Sequence, residues 1–202
     1  MSRSPDTRVF VCFALAGIIF GLSGDARAHV DGSPAGGFAG GVTHPLLGLD
    51  HVLAMISVGL WGAQLGAPAV WVLPVAFPMV MALGGMLGLI GYGVPGVEAG
   101  IAVSAIALGI AVSSEARPPL GLAVLLVGFF AVFHGHAHGT ELPEGANGLY
   151  YSAGFVIATG SLHAAGIAAG LTHRWHVGRM ALRLGGVFVA LAGIYFLVDI
   201  WA

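Results

Sequence analysis

Charged residues are scarce in this chain of 202 residues: only 8% are Asp, Glu, Lys or Arg, whereas 57% are hydrophobic. Soluble domains carry about 25% charged residues. So little charge excludes an ordinary soluble domain and predicts an integral membrane protein. Lysine is absent, and the chain has seven arginines and nine acidic residues. The basic excess typical of nucleic-acid-binding proteins is therefore missing, and we expect no nucleic-acid partner.

Cysteine is also nearly absent. The one cysteine, Cys12, lies in a segment with the features of a secretory signal peptide: a basic start, an apolar core over residues 9–22 and an Ala-Arg-Ala cleavage site at 26–28. We predict that residues 1–28 are a cleavable signal peptide; the alternative is an uncleaved first helix. The mature chain, residues 29–202, would contain no thiol, which excludes disulfides and cysteine-ligated metal sites.

The mature chain is predicted to form a single transmembrane domain of about six helices, so the fold class is an all-α integral membrane protein. A Gly/Ser/Pro-rich loop is expected at 31–41, before the first span. The six spans are placed at 45–63, 69–90, 97–114, 119–138, 148–171 and 181–201. Glycine pairs typical of close helix packing in lipid occur at Gly62/Gly66, Gly84/Gly88 and Gly166/Gly170.

Arginine indicates the orientation in the membrane. If the mature N-terminus is outside, the inner connections hold every arginine of the mature chain and the outer connections hold only acidic residues. The arginines concerned are Arg117, Arg174, Arg179 and Arg183. Both ends of the mature chain are therefore predicted to lie outside.

Two blocks of ionisable residues interrupt the apolar sequence, one at 44–51 and one at 134–141. Imidazole and carboxylate groups are ligands for borderline divalent metals such as nickel, cobalt and zinc. Both blocks fall at outer ends of predicted spans, where ionisable groups indicate function. Seven candidate ligands lie at one membrane level: His44, Asp50, His51, Glu98, His134, His138 and Glu141.

Helical spacing separates the histidines of the second block. His134, His138 and Glu141 fall within about 60° of arc, whereas His136 points roughly to the opposite side and is a weaker candidate.

In the first block, Asp50 and His51 are neighbours, so that one could ligate an ion while the other orients it. His44 precedes a proline, which disfavours a helical conformation. Since proline suits the first turn of a helix, we expect the first helix to begin at Pro45, with His44 just above it at the mouth.

The other ionisable residues have plainer interpretations. His163 is expected to be a hydrogen-bonded core group, and Glu144 a solvated loop acid. His173 and His176 are expected to contact lipid headgroups. Glu98 could instead only cap the third helix, because acidic residues favour the first turn. For the two blocks, the plain alternative is incidental polar pairing.

The paired blocks resemble the HupE/UreJ family of bacterial nickel/cobalt permeases. The matching pieces are a signal peptide followed by His29, the His-Pro-x-x-Gly-x-Asp-His block at 44–51 and the His-Gly-His-Ala-His-Gly-x-Glu block at 134–141. The resemblance implies about six spans in the bacterial inner membrane. It also implies inward movement of nickel or cobalt as a transported substrate, without a permanent cofactor and often beside hydrogenase or urease. The family's metal-handling residues would correspond to His44, Asp50, His51, His134, His138 and Glu141.

Two other classes of protein could use the same residues. An intramembrane zinc hydrolase would hold its metal with the His/Asp/Glu groups and use Glu98 or Glu141 as a base. A haem-binding subunit would use two axial histidines, but the carboxylates beside them argue against haem. A Walker A loop is absent from the sequence, so import would draw on the membrane potential, a coupled ion or trapping of the metal inside.

The topology can be tested directly. N-terminal sequencing of the mature protein should begin at His29, and a reporter fused after Ala202 should report the periplasm. A reporter that is active only in the cytoplasm would contradict the arrangement with an even number of spans.

Overall fold

A computed structural model describes residues 37–142 and 145–202, and within these residues all regular secondary structure is helical. The helices are α1 Phe38–Leu47, α2 Leu49–Leu65, α3 Ala69–Leu89, α4 Val97–Ser114, α5 Leu120–Thr140, α6 Gly148–Gly170 and α7 His176–Asp199, with a short 3₁₀ helix at Leu171–Arg174. The predicted all-α class is confirmed. The predicted signal peptide, residues 1–28, lies outside the described residues.

Five of the described helices, α3 to α7, are long and apolar enough to cross a membrane, and α1 with α2 adds a sixth span if the bent pair counts as one. The outward-facing side chains are largely apolar, as Trp71, Phe129 and Leu191 illustrate. Since lipid surrounds the outside of such a bundle, this surface fits a multi-pass membrane protein. The bounds of α3 to α6 agree with the predicted spans to within one or two residues.

The first predicted span, 45–63, is wrong because the chain is not one continuous helix there. The chain makes two helices, α1 and α2, whose axes differ in direction by 86°. Gly48 lies between them in an extended conformation, with φ −84° and ψ 109°, and interrupts the helical hydrogen bonding. The predicted loop at 31–41 is also too long, because α1 already begins at Phe38.

His44 is therefore helical, contrary to the expectation that the helix begins at Pro45. Pro45 lies in the last turn of α1. Proline has no N–H, so Pro45 cannot donate the usual helical hydrogen bond to the Gly41 carbonyl, and its ring crowds the preceding turn. Packing of α1 against α6 compensates, since Gly41 approaches the Tyr151 carbonyl and Gly154 approaches that of Phe38.

The last predicted span, 181–201, is displaced, because α7 spans His176–Asp199. The sequence interpretation assigned its polar first turns to a loop. In the structure those turns are held by contacts with the end of α4. Arg179 Nε lies 3.6 Å from Glu115 Oε1, and Arg183 Nε donates to the Ser113 carbonyl at 3.1 Å. These polar contacts extend the helix beyond the apolar run.

Glycine allows the helices to pack backbone to backbone. The closest pairs are α3 with α5, α4 with α7, and both α1 and α2 with α6. A Cβ atom at Gly84 would collide with the Val132 carbonyl of α5, and one at Gly166 with the Ile56 carbonyl of α2. The predicted packing role is confirmed at Gly84, Gly88, Gly166 and Gly170. It is wrong for Gly66, which ends α2 with a positive φ of 80°.

Helix α2 is the central element, because almost every residue from His51 to Gln64 is buried. It contacts α3, α4 and α6. Near its far end the Trp61 indole donates to the Ala116 carbonyl at 2.9 Å, and the Gln64 amide donates to the Val112 carbonyl at 3.1 Å. A helix held along its whole length gives the side chains of its first turn a fixed position.

Two glycines of α6 provide a test of this packing. Gly166→Ala should destabilise the protein by roughly 1–3 kcal/mol, because the new methyl group meets the backbone of α2. Gly160→Ala is the control, since a Cβ there meets nothing within 4 Å. It should be neutral or stabilising through helix propensity. Thermal unfolding in detergent measures both; equal melting temperatures for the two variants would contradict the backbone contact.

Candidate metal centre at one end of the bundle

The bend at Gly48 brings the polar residues of the first block to one point. Asp50 and His51 lie in the first turn of α2, where the helix dipole favours an acidic side chain. The Asp50 carboxylate accepts from the His51 backbone N–H at 2.8 Å and from the His51 ring Nδ1 at 3.0 Å. A Cβ atom at Gly48 would crowd both side chains, at 3.0 Å from Asp50 Oδ1 and 3.1 Å from His51 Nδ1.

The second block presents its histidines from the last turns of α5. Gly135 and Gly139 face α3, where they pack against the Met81 and Gly85 carbonyls. This contact turns His134 and His138 toward the interior of the bundle, where both are buried. The alternation of histidine with glycine in this block thus serves packing and presentation together.

Four imidazole rings from the two blocks are in contact. The ring centroids of His51 and His138 are 4.3 Å apart, those of His51 and His134 are 5.0 Å apart, and those of His44 and His138 are 4.9 Å apart. His138 therefore contacts both His51 and His44. We call the six residues that meet here the His/carboxylate cluster: His44, Asp50, His51, His134, His138 and Glu141.

One part of the cluster has the spacing of a ligand set. His44, His138 and Glu141 each offer a ligand atom, and these atoms all lie within 4.8 Å of one another. The His44 Nε2 and Glu141 Oε2 atoms are 3.1 Å apart. Two imidazoles and a carboxylate this close need only a small inward movement to hold one divalent ion.

Deeper in the cluster, hydrogen bonds leave one ring nitrogen of His51 and one of His134 without a partner. His134 Nδ1 donates to the Phe130 carbonyl at 3.0 Å, and His51 Nδ1 donates to Asp50. In each ring Nε2 then carries the lone pair, and it has no hydrogen-bond partner among the described residues. Both nitrogens of His138 are likewise unpaired within residues 37–142 and 145–202. Buried polar atoms are nearly always satisfied, so these nitrogens are available to bind a water molecule or a metal ion.

Exposure falls steeply across the cluster. The Glu141 side chain is 52% exposed and that of His44 30%, whereas His134 is fully buried. The carboxylate of Glu141 and the ring of His44 therefore form a mouth, and His134 forms the floor.

Two candidates lie apart from the direct contacts. Glu98, in the first turn of α4, is exposed; it is near enough to the carboxylates of Asp50 and Glu141 to feel their charges. His136 faces away, and its Nε2 donates to the Tyr92 carbonyl in the α3–α4 loop at 2.8 Å. Glu144 lies outside the described residues.

The sequence interpretation missed the aromatic wall of the cluster. The ring centroid of Phe155 lies 4.3 Å from that of His138, Tyr151 lies 6.0 Å from His44, and Phe77 lies 5.4 Å from His134. Tyr151 and Phe155 are four residues apart on α6, so they share one helix face. That spacing, at the same end of the bundle, is the signal that could have identified them.

These observations define a class: a multi-pass helical membrane protein with a buried histidine–carboxylate centre at one end of its bundle. Comparison with known sequences identifies the family. The profile described as "HupE / UreJ protein" matches residues 10–196, and the chain belongs to the HupE/UreJ family. It is 46% identical over 198 residues to Protein HupE of Rhizobium leguminosarum bv. viciae, covering 98% of this chain and 100% of that protein. A search of solved structures gave no significant match.

The placement of the second-block histidines can be tested by metal binding. His138→Ala should lower the affinity of the purified protein for Ni²⁺ or Co²⁺ by about 10-fold to 100-fold, because it removes the ring that contacts both His44 and His51. His136→Ala is the matched control and should bind almost normally, since His136 bonds to the Tyr92 carbonyl. Calorimetric titration measures both; an equal loss in the two variants would contradict the assignment.

Proposed function

We propose that this protein imports a divalent transition-metal ion, nickel or cobalt, through the His/carboxylate cluster. The HupE/UreJ family is a membrane transport family associated with metal ions, which supports a metal ion as transported substrate and a role as carrier in place of enzyme. The observation that carries the proposal is the set of unpaired ring nitrogens on His51, His134 and His138, which lie together within the described part of the bundle.

The carboxylates supply the attraction. Asp50, Glu98 and Glu141 bring three acidic groups to this end of the bundle, and the four neighbouring imidazoles are uncharged in their ligand form. A hydrated cation is drawn to the exposed Glu141 and Glu98. It then loses part of its water shell to His44 and His138. Mixed nitrogen and oxygen ligation suits nickel and cobalt and still allows release.

The second step moves the ion toward α2. His138 contacts both His44 and His51, so the ion can pass from the mouth to the buried pair without leaving imidazole ligands. Asp50 holds the His51 ring and offsets the charge of the ion in a low-dielectric setting. With the cluster on the outer side, a potential of 100 mV, negative inside, favours inward movement of a doubly charged ion by about 4.6 kcal/mol.

The imported ion is proposed to supply nickel- or cobalt-dependent enzymes, with hydrogenase and urease maturation as the proposed functional link. The proposed location is the bacterial inner membrane, with both ends of the mature chain in the periplasm. None of the described contacts favours the zinc hydrolase alternative over transport.

Transport is tested by uptake of radioactive nickel and cobalt in cells that lack their own transporters. The wild-type chain should restore uptake, and Asp50→Ala, His51→Ala, His138→Ala and Glu141→Ala should abolish it while leaving membrane insertion intact. His136→Ala should be milder. Purified protein should bind either metal reversibly, and its affinity should fall in acid, because protonation removes the imidazole lone pair.

The opposite results are equally clear. The protein would be a zinc hydrolase and not a transporter if it retained a zinc ion tightly and hydrolysed a peptide or lipid only while the zinc was bound. Loss of uptake in His173→Ala and His176→Ala to the same extent as in the cluster variants would show that the cluster has no special role.

A further inference from the structure

His163 lies deep in the bundle, well away from the cluster. It is on α6, twelve residues after Tyr151, which places it about 18 Å further along the helix axis. Its ring is 2% exposed. The sequence predicts a hydrogen-bonded core histidine at this position. The ring approaches the Pro74 carbonyl, but neither ring nitrogen has a partner with full hydrogen-bond geometry among the described residues.

Phe77 connects His163 to the cluster. The Phe77 ring is fully buried; its centroid lies 5.4 Å from that of His134 and 5.7 Å from that of His163. One aromatic side chain thus contacts both the floor of the cluster and the deeper histidine. His134 Nε2 and both nitrogens of His163 are unpaired within the described residues, so Phe77 contacts two imidazoles that have free nitrogens.

Oxygen atoms accompany His163 at this depth. Thr159 is one helical turn earlier on the same face of α6. Ser57 is at a similar depth on α2, two residues before Gly59, which packs against the His163 backbone, so the Ser57 side chain leaves α2 on a different face from Gly59. Both hydroxyl groups are fully buried and, in the part of the chain that the structure describes, neither has a partner.

Helix α3 supplies a carbonyl oxygen. Pro74 and Pro78 lie four residues apart inside α3. Proline has no N–H, so Pro78 cannot donate to the Pro74 carbonyl in the usual helical bond. The His163 ring faces this carbonyl, although the contact falls short of a full hydrogen bond. The Pro74 carbonyl oxygen, which lacks its usual helical donor, therefore lies beside the His163 imidazole in the interior of the bundle.

We propose that His163 is the principal ligand of a second, deeper binding site for the metal ion, with the Pro74 carbonyl and the Thr159 hydroxyl as oxygen partners. This inference rests on the proposed transport function and extends it. An ion that leaves His134 must pass the Phe77 ring before it reaches His163. The deeper site has one nitrogen ligand and two neutral oxygens, so it holds the ion more weakly than the cluster and favours onward release.

His163→Leu is the first test, because a structural role and a ligand role predict opposite effects. Replacing an unpaired buried polar group with an apolar one of similar size should leave the melting temperature unchanged or raise it. Affinity of Ni²⁺ for the cluster should stay within about twofold of wild type, whereas uptake should fall by about tenfold or more. His173→Leu is the control; the His173 ring donates to the Gly170 carbonyl at 2.9 Å near the 3₁₀ helix, and this variant should transport normally.

His163→Cys is the second test and reports the ligand directly. It is made with Cys12→Ser, so that the only thiol is the new one. Co²⁺ added to the purified variant should produce a sulfur-to-cobalt charge-transfer band, which arises only from direct ligation. The same variant with His138→Ala should keep the band at the same Co²⁺ concentration, because the deeper site binds independently of the cluster.

The outcomes separate the two proposals. Normal uptake in His163→Leu, or the absence of the charge-transfer band in a folded His163→Cys protein, overturns the deeper site and leaves transport through the cluster intact. A wild-type chain that neither binds nor transports nickel or cobalt overturns the proposed function itself. A large drop in the melting temperature of His163→Leu shows that His163 is structural and also overturns the deeper site.

Discussion

The contact between the backbones of α3 and α5 is the constraint on which the rest of the structure depends. Gly135 and Gly139 place α5 directly against the Met81 and Gly85 carbonyls, and Gly84 and Gly88 return the contact from α3. Larger side chains at these positions would separate the helices and rotate His134 and His138 away from α2. In lipid, where apolar side chains gain little by leaving the solvent, close backbone packing of this kind supplies much of the helix association. The chemistry of the centre thus begins with residues that carry no functional group.

The sequence was sufficient for the helices whose ends coincide with ends of apolar runs. Helices α3 to α6 begin and end where proline, glycine or polar residues interrupt such runs. It was insufficient at α1, because a helix of ten residues with glycines and a proline has no pattern of its own and is stabilised by α6. It also failed at the start of α7, where contacts with Glu115 and Ser113 extend the helix through polar residues.

The candidate site shows the same division. Helical spacing was enough to group His134 with His138 and to separate His136, because all three lie on one regular helix. Tertiary geometry was needed for the rest. Three features depend on how separate helices meet. These are the bend that brings His44 close to Glu141, the aromatic wall of Tyr151 and Phe155, and the unpaired nitrogens of His163. A sequence pattern describes one helix at a time and contains no measure of these distances.

The bend at Gly48 places the candidate ligands of the first block on two helices that are packed to different extents. Asp50 and His51 belong to a helix buried along nearly all of its length, whereas His44 belongs to a ten-residue helix that contacts mainly α6. A small rotation of α1 about Gly48 would change the distance between His44 and Glu141 while His51 and His134 stay in place. In the proposed transport, capture at α1 and retention at α2 are therefore separate, and variation in α1 would change the rate of ion entry without changing how tightly the interior binds the ion.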